Sequence, residues 1–144
     1  MISTKGRYAL RVMIDLAMHS GGEYITLKDI SARQDISVKY LERVISLLHR
    51  AGFLHSLRGN NGGYKLAKKP EEFTAGDILR AAEGSLAPIA CLQGEENPCP
   101  RKDKCTTLAF WENYYRVITE YMDSVSLRQL VDDAMEHKRS DIIG

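Results

Sequence analysis

The sequence predicts a mainly α-helical fold that carries one short β-hairpin. Apolar residues recur at helical spacing in several segments, and a Ser or Thr that can cap a helix precedes most of them. Glycine and asparagine separate two short β-competent runs after residue 52. Hydrophobic residues make up 44% of the 144 residues and charged residues 27%, so the composition favours a folded globular protein over a disordered one.

Three helices are predicted in the first third of the chain. Each begins at a hydroxyl residue that can accept a hydrogen bond from the first helical turn. A tight turn at Asp35-Ile36 separates the second helix from the third. The predicted helices cover about residues 3–19 after Ser3, a short span from Thr26 to Gln34, and a span from Ser37 that ends at Ala51-Gly52.

A β-hairpin is predicted after the third helix, with one strand around residues 54–57 and another around 64–66. Asn61-Gly62 between these runs is a strong turn signal. Two helices joined by a tight turn and followed by a hairpin form a winged helix-turn-helix. Such a unit places the helix after the turn, here the third helix of the chain, in a DNA major groove. Its hairpin, the wing, lies on a neighbouring groove or on the DNA backbone.

The second half of the chain is predicted to contain three helices and a long irregular stretch. Helices are expected at about 75–83, 106–125 and from Ser126 to about 137. Residues 85–104 show little periodicity, and they contain three prolines. Such a stretch inside a compact domain is expected to need an internal staple.

Charge divides the chain into two regions. Residues 1–70 contain 12 Lys and Arg against 5 Asp and Glu, net +7, whereas residues 71–144 contain 8 against 14, net −6. This division predicts a polyanion-binding region at 1–70 and a second region at 71–144 with another role, within one integrated domain. Two clusters that only attract each other remain the alternative.

Several residues of the basic region are predicted to contact DNA. Lys39 and Arg43 suit phosphates or guanine, and a carboxylate at Glu42 can accept a hydrogen bond from cytosine and discriminate between sequences. Arg58 and Gly59 in the wing suit a narrow minor groove. An ordinary solvated surface is the alternative for each residue. The outward set on the third helix is Ser37, Val38, Lys39, Tyr40, Glu42 and Arg43, and the phosphate contacts expected on the first helix are Lys5, Arg7 and Arg11.

All three cysteines, Cys91, Cys99 and Cys105, lie within fifteen residues. Three thiols are too many for one disulfide and one short of a four-thiolate metal site. An iron-sulfur cluster is favoured over zinc because a structural zinc site requires a fourth protein ligand, and none of the four histidines lies near the cysteines in sequence. A thiol redox switch stays open. The fourth cluster ligand is left among Glu95, Glu96, Asp103, a residue of a partner subunit, a small thiol and water.

Other classes of protein are disfavoured. No apolar run approaches the roughly 18 residues of a membrane span, and the N-terminus lacks the apolar core of a secretory signal, so a cytoplasmic location is expected. No Ser-His-Asp or Cys-His arrangement or phosphate-binding loop is present in the sequence pattern. We therefore do not expect an enzyme.

Three stretches of the sequence form a specific combination, namely MISTKGRYALRVMIDLA, ISVKYLERVISLLHRAGFLHSLRGNNGGYKLA and FTAGDILRAAEG. In these stretches the chain resembles the Rrf2 family of bacterial transcriptional regulators, and the resemblance covers residues 1 to about 130. It implies a winged helix-turn-helix that binds operator DNA, and a homodimer in which a long helix crosses to the partner. The stripe Leu108, Trp111, Tyr115, Ile118 and Met122 suits that crossing helix.

The clustered cysteines are similar to those of the family's iron-sulfur members, which regulate cluster assembly genes. The resemblance implies that Cys91, Cys99 and Cys105 hold a cluster, 2Fe-2S in preference to 4Fe-4S, whose gain or loss controls DNA binding. Two departures are the C-x7-C spacing of the first pair and Leu108, which stands where those members have a ligating histidine. The alternative is a cluster-free regulator of cysteine or sulfur metabolism, acting through a protein partner or a thiol redox switch.

Overall fold

The computed structural model describes residues 2–143, and the side chains as far as residue 140. This part of the chain forms α-helices and a two-stranded antiparallel sheet, which confirms the predicted mainly helical fold with a short wing. Short 3-10 turns lie at Pro70–Glu72 and Ala90–Leu92. The elements are α1 (Thr4–His19), α2 (Leu27–Gln34), α3 (Val38–Arg50), β1 (Leu54–Leu57), β2 (Gly63–Leu66), α4 (Ala75–Glu83), α5 (Leu108–Ser124) and α6 (Leu127–Ile143).

Side-chain caps fix the starts of the first four helices. The hydroxyls of Ser3, Thr26 and Ser37 accept hydrogen bonds from first-turn amides at 3.1–3.2 Å. Thr74 and Asp77 form a reciprocal capping box, with both hydrogen bonds at 3.0 Å. These helices therefore start within a residue of the predicted positions. The later helices were less predictable, since α5 starts two residues late without a side-chain cap and α6 extends beyond residue 137.

Helix α1 lies at the centre of the fold and packs against α2, α3, α4, α6 and β2. Its residues Ala9, Val12, Met13 and Leu16 are fully buried in one apolar core. The side chains that meet them from α3 and α4 include Leu41, Val44, Leu48 and Ile78. The same core therefore joins α3, the helix predicted to enter the major groove, to α4, the first helix of the C-terminal half.

An ion pair between a buried carboxylate and a partly exposed arginine joins α1 to α2. Asp15 is 1% exposed, and both of its carboxylate oxygens accept hydrogen bonds from Arg33, at 2.8 and 2.9 Å. Gln34 donates a third hydrogen bond at 2.9 Å. The hydrogen bond to Asp15 raises the pKa of Arg33 above its ordinary value. The pair holds the first helix of the helix-turn-helix at one position along α1.

The wing is an antiparallel pair in which Leu54 lies opposite Leu66 and Leu57 opposite Gly63. The loop differs from the predicted Asn61-Gly62 turn, because the positive φ of +110° falls at Gly59 and the Gly62 amide donates to the Gly59 carbonyl at 3.0 Å. Gly62 is needed for another reason. A Cβ there would lie 2.1 Å from the Leu57 carbonyl oxygen, so the loop folds back on its own strand.

Within the described residues, no helix is both long enough and apolar enough to cross a membrane.

Candidate nucleic-acid interface and cysteine segment

Helix α3 presents a polar face to solvent. Leu41 and Val44 are fully buried beneath it. The Ser37 hydroxyl is occupied as the helix cap. The exposed residues at the start of this face are Ser37, Val38, Lys39, Glu42 and Arg43. The structure therefore brings together most of the residues that the sequence predicts for base and phosphate contacts.

Two residues that are predicted to contact DNA also make contacts within the chain. Tyr40 is half-buried and meets the ring of Tyr8 edge-on at 5.2 Å, so it is not fully outward as predicted. Arg11 lies over the same Tyr8 ring at 5.1 Å, and it donates hydrogen bonds to the side chain and backbone carbonyl of Gln34. Arg11 thus links α1 to α2. The other two phosphate contacts predicted on α1 are Lys5 and Arg7.

Lys5 of α1 and helix α3 line one surface cleft of about 490 Å³. Three cations and a single carboxylate line it, which makes a cleft suited to anionic oxygens. The lining residues are Lys5, Lys39, Glu42, Arg43, Ser46 and Leu47. The sequence predicted a phosphate contact for Lys5 but not its place beside Glu42. At the other end of the predicted interface, Arg58 and Gly59 are exposed in the wing loop.

The residues between α4 and α5, 85–107, form what we call the cysteine segment. Leu86 and Ala87 are its buried residues, and Leu86 packs with Leu79 and Met122. Further on, the backbone is held by short local hydrogen bonds, such as Lys102 to Cys99 at 3.1 Å. The segment is therefore anchored at its start and open over most of its length.

The three thiols lie along this segment in the reduced state. Cys91 and Cys99 are half-buried, and Cys105 is exposed. The Cys99 amide donates to the side chain of Asn97 at 2.9 Å. A hydrogen bond with the Thr107 hydroxyl lowers the pKa of the Cys105 thiol below its ordinary value, and the Thr107 amide acts in the same direction. These are features of accessible thiols that can act as ligands.

The chemistry of three thiolates fits an iron-sulfur cluster or another thiophilic centre. As the segment stands, however, no group of three His, Cys, Asp or Glu side chains within the described residues is arranged to hold a metal ion. The few local hydrogen bonds of the segment present little resistance to a rearrangement that brings the thiols closer together.

A cleft of about 650 Å³ separates the cysteine segment from α5. Cys91 and Leu108 both line it, so the leucine faces the region where the resemblance places a histidine ligand. The carboxylates Glu95 and Asp103 are present there as well, whereas Glu96 is not among the lining residues. Glu112, one turn along α5 from Leu108, also lines the cleft. The sequence analysis missed it, although the four-residue spacing from Leu108 was a usable signal.

Helix α5 has two apolar faces. The face predicted for a partner subunit lies towards the chain's own fold, where Met122 is buried and Ile118 packs against the same small cluster. A second stripe is open to solvent. It consists of Phe110, Tyr114, Val117 and Tyr121, which are 61%, 45%, 55% and 70% exposed.

Comparisons with known proteins agree with this architecture. The sequence profile of Rrf2, described as an iron-dependent transcriptional regulator, matches residues 2–133. Protein rrf2 of Nitratidesulfovibrio vulgaris is 40% identical over 134 residues, which cover 92% of this chain and 88% of that protein. The HTH-type transcriptional regulator IscR of Aliivibrio salmonicida is 37% identical over 140 residues, or 97% and 82% of the two chains.

Two solved structures share the fold closely. CymR (YrzC), the global cysteine regulator of B. subtilis, superposes with a TM-score of 0.73 at 38% identity, covering 92% of this chain and 96% of that one. IscR of T. potens gives a TM-score of 0.73 at 36% identity, covering 95% and 90%. The relatives named here are regulators and not enzymes, which confirms that expectation.

Proposed function

The chain belongs to the Rrf2 family of DNA-binding transcriptional regulators, and from this premise we propose that it senses iron-sulfur clusters and binds operator DNA as a homodimer. The observation that carries the proposal is the placement of all three cysteines in one open segment, directly after the helix that packs on the DNA-binding core. The resemblance to IscR supports iron-sulfur assembly genes as the targets.

In this proposal α3 enters the major groove and the wing loop meets the adjacent groove. Lys39 and Arg43 neutralise phosphates or donate to guanine, and Lys5 adds a phosphate contact from α1. Phosphates repel Glu42, and a hydrogen bond that its carboxylate accepts from a base offsets this repulsion. Glu42 therefore disfavours DNA sequences without such a donor. Arg58, carried on the flexible glycine turn, reaches the minor groove.

Cys91, Cys99 and Cys105 would hold the cluster, with 2Fe-2S favoured over 4Fe-4S by the likeness to IscR. When bound, the group supplies oxidation-sensitive iron-sulfur chemistry to the surface of the protein. Leu108 cannot serve as a ligand. Four carboxylates share its cleft with Cys91, and one of them, Glu120, is paired with Arg116. The other three, Glu95, Asp103 and Glu112, are the candidates in this cleft for the remaining position. Water, a small thiol or a partner residue are the external candidates.

The homodimer is supported by the outer face of α5. Four large apolar side chains repeat there at intervals of three or four residues, and a monomer would leave them in water. A second copy of the chain, bringing the same stripe, would cover them around a twofold axis. A dimer would also present two reading helices to an operator with two half-sites.

The proposal is tested by purifying the wild type, Cys99→Ala and the exposed control Gln93→Ala without oxygen. We expect iron, sulfide and visible absorbance in the wild type and the control. Cys99→Ala should lose the absorbance and bind an operator fragment with at least tenfold altered affinity in a fluorescence anisotropy titration. A colourless, iron-free wild type that binds DNA like Cys99→Ala would contradict the sensor.

A second candidate is a cluster-free regulator of sulfur metabolism. The close likeness to CymR, a cysteine regulator, favours it, as do three free thiols with one fully exposed. It would act through a protein partner or a thiol-disulfide switch. In the same experiment, it predicts a colourless protein whose DNA affinity changes on mild oxidation or on addition of an enzyme of sulfur metabolism.

A further inference from the structure

We propose that Glu83 is a positioning residue that transmits the state of the cysteine segment to the DNA-facing surface of α1 and α3. The inference rests on the proposed function, since it concerns how a change in that segment reaches the reading helix. It follows from a set of contacts at the start of α1 that links the last residue of α4 to both regions.

Glu83 holds the first turn of α1 with a single carboxylate oxygen. That oxygen accepts hydrogen bonds from the Ser3 amide at 2.8 Å, the Ser3 hydroxyl at 2.6 Å and the Gly6 amide at 2.9 Å. First-turn amides have no partner within their own helix, and a negative charge there is favoured by the helix dipole. A residue 77 to 80 positions away thus fixes where α1 begins.

The three hydrogen bonds also set the ionisation of this residue. Partial burial by itself would raise the pKa of Glu83, but the hydrogen bonds from Ser3 and Gly6 outweigh it and lower the pKa below its ordinary value. The carboxylate therefore remains charged at neutral pH.

The packing at this joint leaves no space for a side chain on α1. A Cβ on Gly6 would lie 2.6 Å from the same oxygen of Glu83 and 3.0 Å from the side chain of Ile2. Gly6 is buried in the first turn of a helix, where glycine is otherwise a poor choice. The close approach of the Glu83 carboxylate explains it.

The same joint touches the cysteine segment. Glu83 is the last residue of α4, and Gly84, with a positive φ of +84°, turns the chain directly into the segment. Ile2, just before the cap Ser3, lines an apolar cavity of about 340 Å³ together with Leu86 and Pro88 of the segment. The chain that leads into α1 therefore lies beside the start of the segment, through the Glu83 hydrogen bonds and through the shared cavity.

On the other side, the joint reaches the DNA-facing surface through Lys5. Lys5 lies in the turn that Glu83 holds, and it shares the 490 Å³ cleft with Lys39, Glu42 and Arg43. A shift of the first turn of α1 would change the position of the Lys5 charge relative to Glu42. If the segment closes around a cluster, it can shift the DNA affinity only if the DNA-facing surface differs between the two states, and the position of Lys5 relative to Glu42 is the difference proposed here.

The test compares Glu83→Gln and Gly6→Ala with the control Glu72→Gln, which also removes a carboxylate that accepts a backbone amide, at 2.9 Å from Lys69, but lies in a different turn. For each protein, operator affinity is measured with and without the cluster. The ratio of the two dissociation constants is the quantity of interest. The visible spectrum and far-ultraviolet circular dichroism report cluster loading and folding.

We expect both joint variants to load the cluster with an unchanged spectrum, while the affinity ratio falls towards one, by fivefold or more relative to the wild type. The control should keep the wild-type ratio. If Glu83→Gln and Gly6→Ala both keep the wild-type spectrum and the wild-type affinity ratio, the inference is overturned and the sensor proposal stays intact. A wild type without cluster would overturn both.

Hydrogen exchange on the wild type keeps the inference testable if a variant fails to fold. The Gly6 amide, whose partner is Glu83, should change its exchange rate at least threefold on cluster loading, whereas the Leu48 amide in the core of α3 should not. Equal rates for Gly6 with and without cluster would refute the role of Glu83, whatever the variants do.

Discussion

The winged helix and the cysteine segment are built in opposite ways. In the former, α1 and α3 share a fully buried apolar core, and the charged side chain of Asp15 is enclosed with three hydrogen bonds. In the segment, Leu86 and Ala87 are the buried residues, and local turns hold much of the remainder. The difference shows that the core and its hydrogen bonds determine the shape of the winged helix, whereas the segment has too little core to determine its own shape.

Hydrogen exchange should display this contrast most strongly. In cluster-free protein, we expect amides in the middle of α3 to exchange roughly a thousandfold or more slowly than those of residues 93–105, because the latter open without loss of core contacts. Mass spectrometry of peptic fragments measures both. Similar protection in the two regions would mean that the segment is packed, and the comparison would fail.

Removal of the buried charge should destabilise the winged helix. Asp15→Asn weakens the charge-assisted hydrogen bonds from Arg33 and Gln34, so we expect a loss of about 1.5–3 kcal/mol in the free energy of unfolding. Urea denaturation gives the value. The matched control is Asp123→Asn, which removes the partner of Arg80 from an exposed pair and should cost less than about 1 kcal/mol. Equal losses in the free energy of unfolding would show that the Asp15–Arg33 pair stabilises the fold no more than an exposed ion pair does.

The two faces of α5 can be separated by a charge. Val117→Asp places a carboxylate in the exposed apolar stripe, and we expect the dimer dissociation constant to rise by about a hundredfold or more, measured by analytical ultracentrifugation. Gln129→Asp, an exposed position on α6, should leave it unchanged. A Val117→Asp variant that stays dimeric would move the interface away from this face.

The smallest effect is expected at the wing. Arg58→Ala should weaken operator binding about tenfold and reduce its salt dependence, because one cation is lost from the contact. Asn60→Ala in the same loop is the control and should change affinity by less than about threefold. Unchanged affinity in Arg58→Ala would place the wing outside the interface.

The helix starts could be predicted because the signals are local. Ser3, Thr26, Ser37 and Thr74 each form the capping hydrogen bond that their sequence positions indicate. The wing strands followed from short β-competent runs around a turn. Its turn geometry did not, because several glycines of this loop could take a positive φ and the sequence does not indicate that Gly59 takes it.

The features that sequence reasoning missed depend on contacts between distant residues. Periodicity indicates two apolar stripes on α5 equally well, and only the placement of α4 decides which one is covered. Tyr40 and Arg11 remain predicted DNA contacts, and only the structure reveals that they also contact Tyr8 and Gln34. The joint between Glu83 and Gly6 joins residues 77 positions apart, and no local pattern indicates it.

The confinement of the three cysteines to one surface segment has a consequence for timing. A ligand set drawn from the interior could be dismantled only as fast as the core unfolds. If these thiols hold a cluster as proposed, they can release or take it up while the apolar core around α1 stays folded. The response time of the regulator would then be set by chemical reaction at the segment, and one protein molecule could pass through many cycles of loss and repair.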